Sequence, residues 1–217
     1  MTDAERKVDL QDPLFTRFGL PFWKFVAAVL LFLLGPVVVR GKYRVPRKGG
    51  LLILSNHLAD VDPAIIQVAC PRPVYFMAKS ELFEMRFVGR FIRWFRAFPV
   101  KRGEPDRESL RKAIDLSKAG QAVCVFPEGE LSESAELQPL KAGVALIARM
   151  AGVDVICVGI RGSNRILPYG SLIPRPAFRM VNVEWGEPRH FGKETSAEDF
   201  LAWADAQLRL LTAQVND

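Results

Sequence analysis

Residues 51–63 read LLILSNHLADVDP. The run from Leu51 to Ser55 is apolar with no alternation, the pattern of a strand covered on both faces. Asp62-Pro63 reads as a helix start, with the aspartate as cap and proline at the first helical position. Between strand and helix lie Asn56, His57 and Asp60. A strand buried on both faces needs helices on either side of its sheet, and in open sheets of that kind ligands bind beyond the carboxyl ends of the strands. The stretch therefore predicts an α/β fold with a candidate site where this strand ends.

The rest of the chain alternates in the same way. Strand patterns fall at 74–77, 98–100, 122–126, 153–160 and 178–185, and helix patterns at 81–95, 106–119, 140–151 and 196–213. This predicts one α/β domain, residues 49–217, with a largely parallel or mixed central sheet flanked by helices. An N-terminal membrane-associated segment, residues 1–48, precedes it. No repeat or linker divides the chain, and its 217 residues suffice for one sizeable core.

Residues 20–39, LPFWKFVAAVLLFLLGPVVV, carry one charge, Lys24. About 20 apolar residues can cross a bilayer core, but Gly35-Pro36 interrupts this run. The residues before it mix Asp3, Glu5, Asp9 and Asp12 with Arg6, Lys7 and Arg17, unlike a signal peptide. The flank after it holds Arg40, Lys42, Arg44, Arg47 and Lys48 with no acid. Such a flank belongs on the cytoplasmic side of a spanning helix, or against anionic headgroups if the helix enters one leaflet. The expectation is a membrane-anchoring helix at the cytoplasmic face, with spanning, monotopic and buried-core readings open. Residues 83–98 add a second amphipathic stretch, with Phe83, Phe87, Phe91 and Phe95 opposite Arg86, Arg90, Arg93 and Arg96. It suits a membrane interface or a surface helix packed on its own core.

Lysine and arginine number 30 against 24 acids, a net charge of +6. This favours anionic partners. No nucleic-acid reader motif is present, so nucleic acid is not expected among them. Cys70, Cys124 and Cys157 stand singly in apolar runs, which implies buried thiols in a reducing setting.

The chain has two histidines, His57 and His190. A neutral imidazole can take a proton from a hydroxyl, and a carboxylate on the other ring nitrogen fixes its tautomer. Asp62 could serve so; it could also be an ordinary helix cap worth about 1 kcal/mol, and His57 a polar residue at a strand end. Glu128, in Phe126-Pro-Glu-Gly129, follows a different apolar strand and could face the same crevice. No G-x-S-x-G elbow supplies a nucleophile, and Ser163 follows another strand. No HExxH suggests zinc and no GxxxxGK[ST] suggests nucleotide hydrolysis. A His–Asp pair without a nucleophile fits direct attack by a substrate hydroxyl.

With these motifs in hand, the chain resembles the glycerolipid acyltransferases of the 1-acylglycerol-3-phosphate acyltransferase type over roughly residues 40–190. Their NHxxxxD motif is matched by Asn56-His57 through Asp62, and their FPEGTRS-like motif by residues 126–132. Their basic motif ending in arginine is similar to Pro99-Val-Lys-Arg102, and a VPV-like strand to residues 155–158. The resemblance implies His57 as general base and Asp62 as its orienting partner, both catalytic. It implies an acyl thioester donor on coenzyme A or acyl-carrier protein, with no cofactor or metal. The acceptor would be a lysophospholipid hydroxyl, that of 1-acylglycerol-3-phosphate, giving phosphatidate. Arg102 would hold its phosphate, Glu128 and Gly129 would shape its site, and Asn56 and Lys101 would also bind substrate, with Lys141 a further helper.

One departure matters. Glu130-Leu131 replaces the family's Thr-Arg, so a cation is missing and an anion stands nearby. That favours another lysophospholipid or hydroxylated lipid, unless Arg161 or Arg165 compensates. A non-catalytic membrane-binding protein is the alternative of a different class.

Overall fold

Every residue of β2, Leu51–Ser55, is buried, and the side chains divide between two layers. Leu51 and Ile53 belong to one core, Leu52 and Leu54 to the other. This is the two-sided strand that the unbroken apolar run predicts. The structure is a computed structural model that describes residues 19–100, 106–134, 136–171 and 173–213.

The chain order is α1 (Leu20–Leu34), β1 (Val37–Arg40), β2, α2 (Asp62–Ala69), β3 (Val74–Lys79), α3 (Arg86–Trp94), β4 (Ala97–Val100), α4 (Arg107–Lys118), β5 (Ala122–Val125), α5 (Gly143–Ala151), β6 (Asp154–Arg161), the single turn α6 (Ser163–Ile166), β7 (Val181–Trp185), β8 (Arg189–His190) and α7 (Ala197–Ala213). The sheet runs β1-β7-β6-β2-β5-β3-β4, with β8 also on β6. It is mixed: β2 is parallel to both β5 and β6, whereas β7 and β8 are antiparallel to β6. Leu31 of α1, Ile65 and Ile66 of α2 and Ile166 of α6 cover one face. Ala113 of α4, Ile147 of α5 and Phe200 and Leu208 of α7 cover the other.

Strand order positions the site. With Leu54 level with Val125 and Ser55 level with Val158, β2 ends beside β5 on one flank and runs along β6 on the other. Asn56 and Phe126 therefore leave the sheet side by side at its carboxyl edge.

Several expected elements differ. The N-terminal apolar run is not one element. Helix α1 ends at Leu34, Gly35 closes it by donating to Leu31 O at 2.7 Å, and the next valines form β1, paired parallel with β7. The sheet thus begins before the expected boundary at residue 49. Fifteen residues of helix reach about 22 Å, short of a roughly 30 Å hydrocarbon core. Among the described residues, no helix is long and apolar enough to cross a membrane. The pattern at 81–95 is also interrupted. A 3₁₀ turn at Ser80–Phe83 precedes α3, and Gly89 packs so closely on it that a Cβ there would stand 2.5 Å from Phe83 O. Arg96 does not sit on an outer basic face: it is buried and donates to the Tyr75 hydroxyl at 2.9 Å. The last strand is shorter than expected because Phe178 adopts φ +51°, outside the β region.

Candidate active site

His57 is the second residue past the end of β2. Its Nδ1 lies 3.0 Å from Asp62 Oδ2, and both side chains are buried. The same Oδ2 accepts from Leu58 N at 2.7 Å and Ala59 N at 2.8 Å. Asp62 therefore does not cap its own helix, whose N-cap is Val61 with no side-chain bond. It turns back and closes the loop that carries His57. An oxygen already accepting two backbone N–H groups makes Nδ1 the protonated ring nitrogen, leaving Nε2 with its lone pair. Among the described residues nothing hydrogen-bonds to Nε2, and it is not sealed from solvent. Phe126 stacks on the imidazole at 3.9 Å between centroids, 17° from parallel, which fixes the ring plane.

Two long-range clamps hold this loop. Glu128 Oε1 accepts from His57 N at 2.8 Å, and its Oε2 accepts from Gln138 N at 2.8 Å. The carboxyl is 2% exposed, and burial, outweighing its two backbone hydrogen bonds, pushes its pKa above the ordinary value. Asn56 grips β6 with both ends of its amide, Nδ2 to Ile160 O at 2.9 Å and Oδ1 from Ile160 N at 2.8 Å. Phe126-Pro-Glu-Gly129 forms a β-turn closed by Gly129 N to Phe126 O at 3.0 Å, with proline second and glycine fourth. Gly129 has φ +77°, and Lys141 lies where its Cβ would be.

Buried thiols offer no rival nucleophile, since desolvation pushes Cys124 and Cys157 well above the ordinary thiol pKa. His190 lies at the exposed sheet rim with its Nδ1 on Asp154 at 3.2 Å. A His–Asp pair whose Nε2 makes no hydrogen bond among the described residues is an arrangement that can accept a proton from a hydroxyl.

A family model described as Acyltransferase matches residues 36–161, more than half of the chain. The chain belongs to the acyltransferase family. It is similar to the 1-acyl-sn-glycerol-3-phosphate acyltransferase of Bacillus subtilis (strain 168), 35% identical over 146 residues, 65% of this chain and 72% of that enzyme. The enzyme of the same description from Streptococcus pneumoniae is 30% identical over 174 residues, 77% of this chain, which spans 62% of that enzyme's length. In fold it resembles the crystal structure of the 1-acyl-sn-glycerophosphate (LPA) acyltransferase PlsC from Thermotoga maritima. The TM-score is 0.80 at 22% identity, covering 99% of this chain and 87% of that one.

The acyltransferase places the other expected site residues as follows. Glu128 meets His57 through its carboxylate, Gly129 closes the turn onto Phe126, and Asn56 binds strand β6. Lys101 and Arg102 lie outside the described residues. Lys141 covers Gly129. Arg161 Nη1 donates to Thr212 O at 2.8 Å at the end of α7, and Arg165 is exposed. A cleft of about 470 Å³ opens beside the loop, lined by Asn56, Leu58, Leu137, Ile160, Arg161 and Thr212. His57 is not on its wall, so the cleft neighbours the His57–Asp62 pair without containing it. Sequence reading did not find Phe126 as the ring's platform or Gln138 and Ile160 as anchors. The first sits inside the FPEG motif; the other two carry no local signal.

Proposed function

We propose that this acyltransferase moves a fatty acyl group from a thioester, on coenzyme A or acyl-carrier protein, to the free hydroxyl of 1-acylglycerol-3-phosphate, giving phosphatidate. The observation that carries the reading is His57, whose Nδ1 is bound to Asp62 while Nε2 stays open. Nε2 takes the hydroxyl proton as the oxygen attacks the thioester carbonyl. The buried Asp62 carboxylate stabilises the imidazolium so formed. Collapse of the tetrahedral oxyanion expels the thiolate, which recovers the proton from Nε2. Asn56 and Glu128 act in this reading as positioning residues, holding the loop to β6 and to the 128–138 segment. Names of the relatives support the acceptor; Arg102 and Lys101 remain its proposed phosphate ligands.

The substrates are lipids, and α1 supports a site at the membrane. One side of the helix packs inward through Leu20 and Leu31, and Lys24 donates to Cys70 O at 2.9 Å. Its other side leaves Phe22, Phe25, Val29, Phe32 and Leu33 exposed. A helix apolar all round with one side uncovered belongs in a lipid interface. Trp23 stacks on Trp94 at 5.0 Å, joining α1 to α3, where Arg86, Arg90 and Arg93 are exposed to meet anionic headgroups. We read this as monotopic attachment at the cytoplasmic face.

A second acceptor has one observation in its favour. Glu130 and Glu133 both stand beside Tyr169, where a negative rim would suit a lysophospholipid bearing an amine. The test is radiolabelled acyl transfer by the purified protein and its His57→Ala variant, with both donor types and a panel of lysolipids. Lysophosphatidate should be acylated fastest and the variant should lose at least a factor of about 10³. Full activity in folded His57→Ala would refute the mechanism; preference for a zwitterionic acceptor would replace the acceptor.

A further inference from the structure

We propose that the loop between α6 and β7, in its described residues 167–171 and 173–180, is a second lipid-docking element that presses Phe178 into an anionic bilayer surface beside α1. The proposal rests on the membrane reading of α1 and extends it. Phe178 is 92% exposed and holds φ +51°, in the left-handed region that L side chains avoid. Among the described residues no core cluster takes up the ring to offset that strain. Ile173 and Met180 are exposed on the same loop, at 77% and 58%.

The loop is held in place from both sides. Arg175 N donates to Ile166 O at 2.8 Å, Ala177 N to Leu34 O at 2.6 Å and Val181 N to Pro36 O at 2.9 Å. The first bond ties the loop to α6 and the other two to the end of α1, where Phe32 and Leu33 are exposed, so exposed apolar residues stand on both elements joined at this junction. A Cβ on Gly35 would stand 3.1 Å from Arg179 O, so this junction is close.

Charge identifies the occupant. From Ser163 to Asn182 the sequence has no acid and three arginines, Arg165, Arg175 and Arg179. All three are exposed, and none has a carboxylate partner among the described residues. Apolar side chains interleaved with unpaired guanidinium groups match an anionic headgroup layer over acyl chains. At the loop's other end, Tyr169 meets Glu133 just past the FPEG turn. Docking here would turn the acceptor side of the site toward the lipid that supplies it.

The test is flotation of the purified full chain with vesicles of phosphatidylglycerol and phosphatidylcholine, and of phosphatidylcholine alone. Phe178→Gly removes the ring and relaxes the backbone, so its Tm should equal or exceed the parent's while its partitioning falls about tenfold. Arg175→Gln with Arg179→Gln should abolish most of the preference for anionic vesicles. Ile173→Ser, at an open surface position, carries the same test if Phe178→Gly fails to fold. Phe25→Ser with Phe32→Ser tests α1 separately. Unchanged partitioning of all three loop variants, with binding lost by the α1 variant, would overturn the loop and leave α1 standing. Unchanged partitioning of all variants would overturn both.

Discussion

Asp62→Asn removes the charge behind His57 while leaving its geometry almost intact. Oδ2 makes all three of the carboxylate's bonds, to His57 Nδ1, Leu58 N and Ala59 N, whereas Oδ1 is buried with no partner. An asparagine can therefore put its carbonyl oxygen where Oδ2 stands and keep all three bonds. What disappears is the attraction between carboxylate and imidazolium at 3.0 Å. At an effective dielectric of about 20 this is about 5.5 kcal/mol, or roughly 10⁴ in rate. Stability should fall less. Two charge-assisted bonds become neutral ones and the amide nitrogen stays unpartnered, together about 2–3 kcal/mol, or about 4–12 °C in Tm for a chain of this size. The assay is single-turnover acyl transfer from acyl-CoA to 1-acylglycerol-3-phosphate, with thermal unfolding alongside. A folded Asp62→Asn protein keeping more than a tenth of the parent rate would refute the argument that the aspartate acts through its charge.

Glu128→Gln must turn one amide hydrogen toward a backbone N–H of either His57 or Gln138, losing one clamp at about 2–3 kcal/mol and lowering kcat more than it raises KM. Because burial raises the Glu128 carboxyl above 4.5, its contribution to stability is fully present below the unfolded pKa and is lost as pH rises through the folded one. The parent's stability advantage over Glu128→Gln should therefore shrink as pH rises above 4.5, and a growing advantage would contradict the direction of that shift. Asn56→Ala leaves Ile160 N and O without partners at the buried end of β6, a loss of about 2–4 kcal/mol. Hydrogen exchange at the Ile160 amide should speed up; unchanged protection there would mean the clamp is not needed.

The local sequence was enough for the two-sided strand β2, the polar turn after it and the candidate pair His57 and Asp62, five residues apart. Hydrophobic period and turn chemistry act over a few residues, and these features need no more. Asp62 was legible as a helix start but not as the loop's closing acceptor, because a capping aspartate and one bonding backward share the same sequence. The valines after Gly35-Pro36 read as continuous with the apolar helix, since an edge strand and a helix tail are equally apolar. Only the sheet brought Glu128 to His57 across 71 residues and Asn56 to Ile160 across 104. Adjacency of β2 to β5 and β6 is settled by how all the helices share two faces of one sheet, which no single segment encodes. The sequence by itself determined which residues could carry the chemistry. Tertiary structure decided which of them hold the others still, because His57 N and the Asn56 amide find their partners, Glu128 and Ile160, far along the chain.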